Sequence, residues 1–247
     1  MNNLDLFICA HKEYDDIGLD NSSYKIISNR NIKNNSKLDL IQTDAKLDDR
    51  MWSELSSIYY IWKNVKIEEN VGICHYRRYF NFFNDVPNII DKPILPIQRV
   101  ENMTNLQAYG ICHNAEDLKT VSQIATSMFP EYKKAIDYTL SSNLSYTCNM
   151  FIMDTKLFND YCDFIFTILM EFDKNVLMIN NDFEKMLYRI RTMSDKYLKT
   201  FDPCDNILYQ SRLYGFLAER LTNAFFTKYK NDNGDDSIKE LKVINKY

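Results

Sequence analysis

The sequence predicts a mixed α/β domain in which a parallel sheet forms near the N-terminus and helices gather in the C-terminal half. Leu4–Ala10 is a short β-prone run, and the amphipathic segment Met51–Asn64 separates it from a second apolar run at Val71–His75. Two strands joined through a helix need a crossover connection, and such a connection makes them parallel. Beyond residue 114, apolar residues recur at intervals of three and four, which indicates amphipathic helices.

The N-terminal elements are predicted by composition, spacing and turn residues. Tyr24–Ser28 has the composition of a strand and follows a polar loop. A helix is predicted over Met51–Asn64 because four large apolar side chains fall on one face: Trp52, Leu55, Tyr59 and Trp62. Residues 81–107 contain three prolines and no sustained periodicity, so we expect a long loop that contains one short strand at Ile94–Leu95.

The C-terminal half is predicted to contain mostly helices. Asn114 and either Asp154 or Thr155 are suitable N-caps, and Pro130 stands where a first helical turn accepts proline. The predicted elements are helices at Glu116–Met128, from Pro130 through Leu140, from Asp154 through Leu169, at Asp182–Met193 and at Asn206–Tyr229, with strands at Ser145–Met153 and, at an edge, Glu240–Ile244. The length suits one domain over residues 1–247.

Charge and apolar runs limit the classes of function. Lys and Arg number 30 against 34 Asp and Glu, a net charge of −4 without long runs of either sign. A general nucleic-acid-binding surface would be basic, so we expect no nucleic-acid partner. No window approaches the ~18 apolar residues of a membrane span, and the six cysteines form no CxxC pair. We therefore expect a cytoplasmic protein with buried thiols and no disulfide.

Glycine is too rare and too dispersed to form a glycine-rich phosphate loop. The five glycines lie far apart, and neither GxGxxG nor GxxxxGK[ST] can be written. If this chain binds a phosphate group, side chains must bind it.

The strongest local signal is HYRRYF, residues 75–80, at the carboxyl end of a predicted parallel strand. Ligands of open α/β sheets bind at that edge. The planar guanidinium groups of Arg77 and Arg78 suit the oxygens of a diphosphate, and the flanking Tyr76 can stack on a base or a sugar. His75 could support the same diphosphate.

His11 and Lys12 hold the equivalent place after the first strand, where they could contact a base, ribose or phosphate. The alternative for HYRRYF is structural: the arginines would form ion pairs with a neighbouring helix, and the aromatic side chains would belong to the core. For His11 and Lys12 the alternative is simple surface exposure.

Metal-ligating patterns are sparse. Gly-Ile-Cys-His occurs at 72–75 and again at 110–113, but adjacent strand residues face opposite sides, so Cys74 and His75 could not readily ligate one zinc ion. The chain also lacks the D-x-D pair that would suggest Mg²⁺ or Mn²⁺ on a nucleotide diphosphate. We predict no metal ligands and leave open a divalent cation, Mn²⁺ or Mg²⁺, with His75 as its first ligand.

Three residues of the predicted last helix share one face, since Arg212, Gly215 and Glu219 lie three and four apart. A glycine inside a helix costs ~1 kcal/mol relative to alanine, which suggests that another backbone or a ligand approaches Gly215. The alternative is a packing notch at Gly215, with the Arg and the Glu salt-bridged to the rest of the domain.

In this order along the chain, these segments resemble a family of bacterial capsular and exopolysaccharide biosynthesis domains that are regarded as glycosyltransferase-like. HYRRYF and NMFIM, residues 149–153, are the specific motifs of the resemblance. The other matching segments are His11-Lys12, Ser53-Glu54-Leu55, Tyr60–Asn64, Gly72-Ile73-Cys74, Gln107, Tyr109, His113, Asp117-Leu118, Pro130–Tyr132, Tyr161-Cys162, Ser211-Arg212, Gly215 and Ala218–Leu221.

The resemblance implies a GT-A-like, Rossmann-like fold in one glycosyltransferase-like domain. It implies transfer of a sugar, galactosyl or galactofuranosyl among the candidates, from a nucleotide-sugar donor such as a UDP-sugar. The acceptor would be a growing capsular, exopolysaccharide or O-antigen glycan, free or lipid-linked, and peripheral association with the inner face of the membrane stays open.

Site residues follow from this reaction. The donor-binding candidates are His11, Lys12, His75, Arg77 and Arg78, and the substrate-binding candidates are Tyr76, His113, Asn149 and Arg212. For an inverting reaction, a carboxylate must accept the proton of the acceptor hydroxyl; Glu219 is the first candidate and Glu54 the second.

Two other classes of function remain open from the residues alone. A non-catalytic module of a polysaccharide assembly complex would bind a nucleotide sugar or a glycan without turnover. An RNA-binding domain could use the same arginines and tyrosines, although the net charge of −4 argues against it.

Overall fold

The computed structural model describes residues 4–15, 18–19, 23–44, 46–82, 84–87 and 90–245. Its strands are β1 (Leu4–Cys9), β2 (Tyr24–Ser28), β3 (Asp39–Gln42), β4 (Asn70–His75), β5 (Arg78–Phe80), β6 (Ile94–Pro96), β7 (Arg99–Val100), β8 (Leu144–Ser145), β9 (Phe151–Asp154), β10 (Lys239–Leu241) and β11 (Val243–Asn245). Its α-helices are α1 (Asp49–Trp52), α2 (Leu55–Asn64), α3 (Asn105–Cys112), α4 (Ala115–Met128), α5 (Lys133–Ser141), α6 (Thr155–Glu171), α7 (Phe183–Thr192), α8 (Ser194–Tyr197), α9 (Ile207–Gln210) and α10 (Leu213–Asn233).

The central sheet is mixed, with the strand order β10-β6-β9-β4-β1-β2-β3. β1 pairs in parallel with β4 on one side and with β2 on the other, which confirms the parallel strands predicted near the N-terminus. β9 runs antiparallel to β4 and β6. The hairpin from β4 to β5 turns at residues 76–77, and β11 pairs antiparallel with β5.

The two faces of the sheet enter different parts of the core. Phe7 and Ile73 pack against the helices in the larger cluster, while Leu6 and Cys74 belong to the smaller cluster on the opposite face. This division follows from the alternation of side chains along a strand. All six cysteines are free thiols, and no helix in the described ranges is long and apolar enough to span a membrane.

Several predicted helices have the expected bounds and caps. The side chain of Asn114 accepts a hydrogen bond from the amide of Glu116 at the start of α4, and Asp154 caps α6 in the same way. Pro130 begins a short 3-10 turn that leads into α5. Asp182 caps α7. These local signals were sufficient because each cap satisfies an amide group of the first helical turn.

Three predicted elements are broken in the structure. The helix expected over Met51–Asn64 splits into α1 and α2 at Ser53, which has φ 52°. The strand expected at Ser145–Met153 splits into β8 and β9, because Cys148 and Asn149 have φ values of 76° and 45°. The last helix splits before Leu213, where α9 ends and α10 begins. The three breaks lie near one another, since Arg212 donates a hydrogen bond to Ser53 and Asn149 donates one to Glu54.

Several elements were not predicted, β5, β7 and α8 as well as β3 and α3, and one prediction was incomplete. β3 and α3 lie in segments without a clear sequence period, although a capping box at Thr104 and Gln107 precedes α3. The edge strand expected at Glu240–Ile244 consists of two short strands, β10 and β11, which pair with different partners.

Candidate functional site

A cavity of about 530 Å³ opens at the carboxyl ends of the parallel strands. Cys9 ends β1 and residues 10–12 follow it, Asn29 and Arg30 follow β2, and His75 ends β4. Residues of the α1–α2 junction, Arg50, Ser53 and Glu54 among them, form another wall, and Ser211 and Arg212 close it from the start of α10. The cavity therefore lies where the sheet topology predicts a ligand site.

Four basic side chains line the cavity, and two of them have acidic partners. Arg30 pairs with Asp49 at 2.5 Å, and Arg50 pairs with Asp48. Lys12 and Arg212 make no ion pair in the described part of the chain. Their charges are thus available to an anionic ligand.

Arg212 is oriented by neighbouring polar and aromatic groups. Its Nε donates a hydrogen bond to Ser53 Oγ at 3.2 Å, and its guanidinium lies 5.4 Å from the ring centre of Phe216. These contacts hold the guanidinium at the cavity wall without neutralising its charge.

Two histidines stand together beside these cations. The rings of His11 and His75 lie 6.4 Å apart, edge to face. Burial, with the charge of Arg78 next in importance, lowers the pKa of His75 to about 3. Burial and the nearby His75 lower the pKa of His11 to about 4. Both imidazoles are therefore neutral near pH 7, and they can exchange hydrogen bonds with a ligand but add no positive charge.

His75 also carries an unsatisfied polar atom. Its Nδ1 is buried and has no hydrogen-bond partner among the residues that the structure describes. Buried polar atoms are nearly always paired, so this atom is expected to gain a partner in a liganded or hydrated site.

Two carboxylates line the cavity, Asp49, which is paired with Arg30, and Glu54, which a buried network orients. Asn149 Nδ2 donates a hydrogen bond to Glu54 Oε1 at 2.7 Å and lies 3.3 Å from the carbonyl oxygen of Gly215. Thr222 Oγ1 donates to Asn149 Oδ1, and Tyr161 bonds to Thr222. Burial raises the pKa of Glu54, and the bond from Asn149 offsets this only in part.

The break at Ser53 places Glu54 in the cavity, and Gly215 makes room for it. A Cβ atom on Gly215 would lie 2.9 Å from Ser53 Oγ and 3.0 Å from Ser53 Cβ. Gly215 is therefore a packing notch against the α1–α2 junction, as the structural alternative proposed. The salt bridges to the rest of the domain suggested with it do not form: Glu219 pairs with Arg220 of the same helix, and Arg212 is in no ion pair among the described residues.

The other predicted site residues lie around the cavity without lining it. Tyr76 packs against His11 with ring centres 4.7 Å apart, and the exposed Arg77 lies over the Tyr76 ring. Arg78 lines a second, smaller cavity. His113 is buried, bonded through Nδ1 to Gln210 and stacked on Phe216.

Glu219, the first candidate for a catalytic base, is engaged elsewhere. Its Oε1 accepts a hydrogen bond from the backbone amide of Cys148 at 2.9 Å, and its Oε2 pairs with Arg220 at 2.9 Å. It thereby holds the turn that positions Asn149.

Sequence reasoning missed Arg30 and Arg50. Arg30 follows β2 just as Lys12 follows β1, so the strand-end rule that selected Lys12 could have found it. Arg50 gives no such signal, because its place depends on the packing of α1 against α7, where its guanidinium lies 3.8 Å from the Phe183 ring. No group of three His, Cys, Asp or Glu side chains suited to a metal ion occurs within the described ranges.

The sheet order, with an antiparallel strand inserted in a mainly parallel sheet and a cavity at the carboxyl edge, defines a GT-A-like α/β fold. A solved structure of a bifunctional glycosyltransferase, WbbM, in its apo form superposes with a TM-score of 0.71 over 98% of this chain, at 20% sequence identity. This chain spans 45% of the length of that one.

Residues 5–194 match the model of a family described as a domain of unknown function, DUF4422, and the chain belongs to that family. No curated protein sequence matches the chain significantly.

Proposed function

We propose that this chain is a glycosyltransferase that moves a sugar from a nucleotide-sugar donor to a growing glycan. The observation that carries the proposal is the convergence of Lys12, Arg212 and the carboxylate of Glu54 in one cavity at the carboxyl edge of the sheet. The GT-A-like fold supports it, and so does the name of the WbbM protein, which describes a bifunctional glycosyltransferase.

Lys12 and Arg212, which have no ion-pair partner among the described residues, suit the leaving group of such a reaction. When the bond from the anomeric carbon to the diphosphate breaks, negative charge grows on the phosphate oxygens. Lys12 and Arg212 approach from different walls of the cavity, so they could contact both phosphates. Their charges would stabilise the transition state more than the ground state, which is the requirement for catalysis.

Glu54 is the carboxylate best placed to accept a proton from the acceptor. A general base needs a free oxygen that faces the substrate and a fixed orientation. Asn149 holds one carboxylate oxygen of Glu54, and the raised pKa of this group makes it a stronger base than an exposed glutamate. Glu219 has neither oxygen unbonded, so we assign it a positioning role.

The neutral histidines would recognise uncharged parts of the donor. His75, with its unpartnered Nδ1, and His11 can bond to hydroxyl or imide groups of a nucleoside or sugar. A UDP-sugar donor, with galactosyl or galactofuranosyl as the transferred group, and a capsular, exopolysaccharide or O-antigen acceptor form the specific version of this proposal.

The donor site is tested by calorimetric titration with UDP. Arg212→Ala and Lys12→Ala should each weaken UDP binding at least tenfold, since losing a charge-assisted hydrogen bond costs ~1.5–3 kcal/mol. Arg191→Ala is the matched control because Arg191 is exposed and lines no described cavity. Arg78→Ala tests the alternative position of the diphosphate at the β4–β5 hairpin. If it weakens UDP binding more than Arg212→Ala does, the diphosphate does not lie in the main cavity.

Turnover separates an enzyme from a binding module. The proposed function requires release of nucleotide from a UDP-sugar in the presence of an acceptor glycan. A protein that binds UDP tightly but never releases it from any UDP-sugar would be the non-catalytic module of a polysaccharide assembly complex.

A further inference from the structure

The side-chain amide of Asn149 has one orientation that suits all its neighbours. Its Nδ2 faces two acceptors, Glu54 Oε1 at 2.7 Å and the carbonyl oxygen of Gly215 at 3.3 Å. Its Oδ1 faces one donor, the hydroxyl group of Thr222, at 3.2 Å. Turning the amide by half a revolution would place its oxygen against a carboxylate and a carbonyl group, which only accept hydrogen bonds. The NH2 group therefore faces Glu54 while that carboxylate is ionised.

Two hydroxyl groups extend this contact into the core. The hydroxyl oxygens of Tyr161 and Thr222 lie 2.9 Å apart, and both side chains are buried. A threonine hydroxyl group has one hydrogen, and Thr222 donates it to Asn149 Oδ1. Tyr161 must then donate to Thr222, its only hydrogen-bond partner in the described part of the chain. The hydrogen bonds thus run in one direction, from Tyr161 through Thr222 to Asn149.

Reversing this direction would leave a buried hydrogen without an acceptor. If Asn149 turned its NH2 group toward Thr222, then Thr222 would have to donate to Tyr161. The Tyr161 hydroxyl group would have no acceptor of its own among the described residues, and a buried donor without a partner is costly. Tyr161 therefore favours the orientation of Asn149 that directs the NH2 group to Glu54.

The backbone around Asn149 is held separately, by other residues of α10. Asn223 bonds to the amide and to the carbonyl group of Tyr146 at 2.7 and 2.8 Å, and Glu219 accepts a hydrogen bond from the amide of Cys148. These contacts hold the turn in which Cys148 and Asn149 have positive φ values. They do not determine which end of the Asn149 amide faces the cavity, so its side-chain partners determine it.

We propose that Thr222 and Tyr161 are positioning residues that act through Asn149 and keep its NH2 group on the carboxylate of Glu54. In this orientation the amide stabilises the ionised carboxylate, which is the form that accepts a proton. Without the two hydroxyl groups, the amide is freer to turn and to accept a hydrogen bond from the protonated carboxyl group. The catalytic consequence rests on the proposed function; the orientation of the amide does not.

The other groups that act on Glu54 stay unchanged in the test. Burial raises its pKa, and the charges of Arg212, before α10, and Arg78, on β5, lower it by less. The carboxylates of Asp49 and Glu219 are each in an ion pair. Burial keeps the remaining titratable neighbours neutral near pH 7: Cys9 of β1, His11 after it, His75 of β4, Cys148 of the turn before β9 and Tyr161 of α6.

The test variants are Thr222→Val and Tyr161→Phe, because each removes a hydroxyl group and keeps the shape of the side chain. Thr139→Val and Tyr109→Phe are the matched controls. Their hydroxyl groups are also buried, have no hydrogen-bond partner among the described residues and line neither cavity. Thr222→Ser keeps the hydroxyl group and is the rescue variant.

The ionisation of Glu54 is measured by infrared difference spectroscopy from pH 4 to pH 8, between each variant and the same variant that also carries Glu54→Gln. We expect Thr222→Val to raise the midpoint by roughly half to one pH unit, the effect of one hydrogen bond between neutral groups. Tyr161→Phe should raise it by less, because Thr222 can still donate to Asn149. Thr222→Ser and both controls should keep the wild-type midpoint.

The pH profile of kcat/KM for UDP release from UDP-galactose or UDP-galactofuranose is the second measurement. In Thr222→Val its acidic limb should move upward with the infrared midpoint, so that kcat/KM falls about three- to tenfold below the midpoint and little above it. A loss of structure alone would lower kcat/KM at every pH and leave the limb where it is.

An unchanged or lowered midpoint in folded Thr222→Val, or an equal rise in Thr139→Val, would overturn the proposal. If Thr222→Val does not fold, Tyr161→Phe decides by the same measurement against Tyr109→Phe. A raised midpoint in a protein that releases nucleotide from no UDP-sugar would retain the positioning of Glu54 and overturn the proposed function. Turnover with an unmoved acidic limb, despite a raised midpoint, would overturn Glu54 as the base.

Discussion

Glu54→Gln is predicted to stabilise the folded protein while abolishing its proposed activity. Burial raises the pKa of Glu54, and the charges of Arg212 and Arg78 lower it by less. The ionised carboxylate is therefore less favourable in the folded chain than in the unfolded one. Glutamine is isosteric and keeps an oxygen that can accept the hydrogen bond now given by Asn149 at 2.7 Å, so it removes this cost without leaving a cavity.

The pH dependence follows from proton linkage. Because the folded pKa of Glu54 lies above its unfolded value of ~4.3, the folded chain holds more protons between the two pKa values. Stability of the wild-type protein then falls as pH rises through that window, by at most ~1.4 kcal/mol per pH unit. For a domain of this size, each kcal/mol shifts the melting temperature by ~2–4 °C. The difference in melting temperature between Glu54→Gln and wild type should thus grow by at most about 3–6 °C per pH unit within the window.

The assay is thermal unfolding followed by circular dichroism from pH 4 to pH 8. Glu54→Gln should melt with the wild type at pH 4 and above it at pH 8. Glu219→Gln is the control, and it should not raise the melting temperature because it loses the ion pair with Arg220. If the melting temperature of Glu54→Gln at pH 8 is equal to or below that of the wild type, the arginines stabilise the ionised carboxylate of Glu54 more than burial destabilises it. The predicted gain in stability is then wrong. Nucleotide release by Glu54→Gln should fall at least a hundredfold, the range of a general base being ~10²–10⁴.

Two other predictions concern the cavity. Gly215→Ala should lower the free energy of unfolding by ~1–3 kcal/mol, because the added Cβ would lie 2.9 Å from Ser53 Oγ. Gly110→Ala is the control and should cost less, because its Cβ would lie 3.3 Å from Ala115 Cβ. Equal melting temperatures of the two variants would contradict a packing notch at Gly215. UDP affinity should survive EDTA, since Lys12 and Arg212 supply the charge that a metal ion otherwise provides. A hundredfold fall on chelation, restored by Mn²⁺, would show that a metal site outside our assignment holds the diphosphate.

Local sequence patterns predicted that the N-terminal strands are parallel and which side chains stand at their ends. Alternation and helical spacing predicted β1, β2, β4 and the helix between them. Once those strands are parallel, their carboxyl ends must share one edge of the sheet, so His11, Lys12 and His75 come together without further information. Caps likewise predicted the starts of α4, α6 and α7, because capping is a contact between residues two or three apart.

Which charged groups share a cavity depends on long-range packing that local sequence patterns do not contain. Glu54 and Asn149 are 95 residues apart and are joined because α10 packs against the α1–α2 junction through Gly215. Ser53, which packs against Gly215, has the positive φ that divides the predicted helix.

The β4–β5 hairpin could not be predicted from the sequence either. Because the chain turns after β4, His75 and Arg78 line different cavities although they are three residues apart. Local sequence patterns predict on which face of its own helix or strand a side chain lies. They do not predict which other helix or strand packs against that face, since that depends on the packing of the whole core.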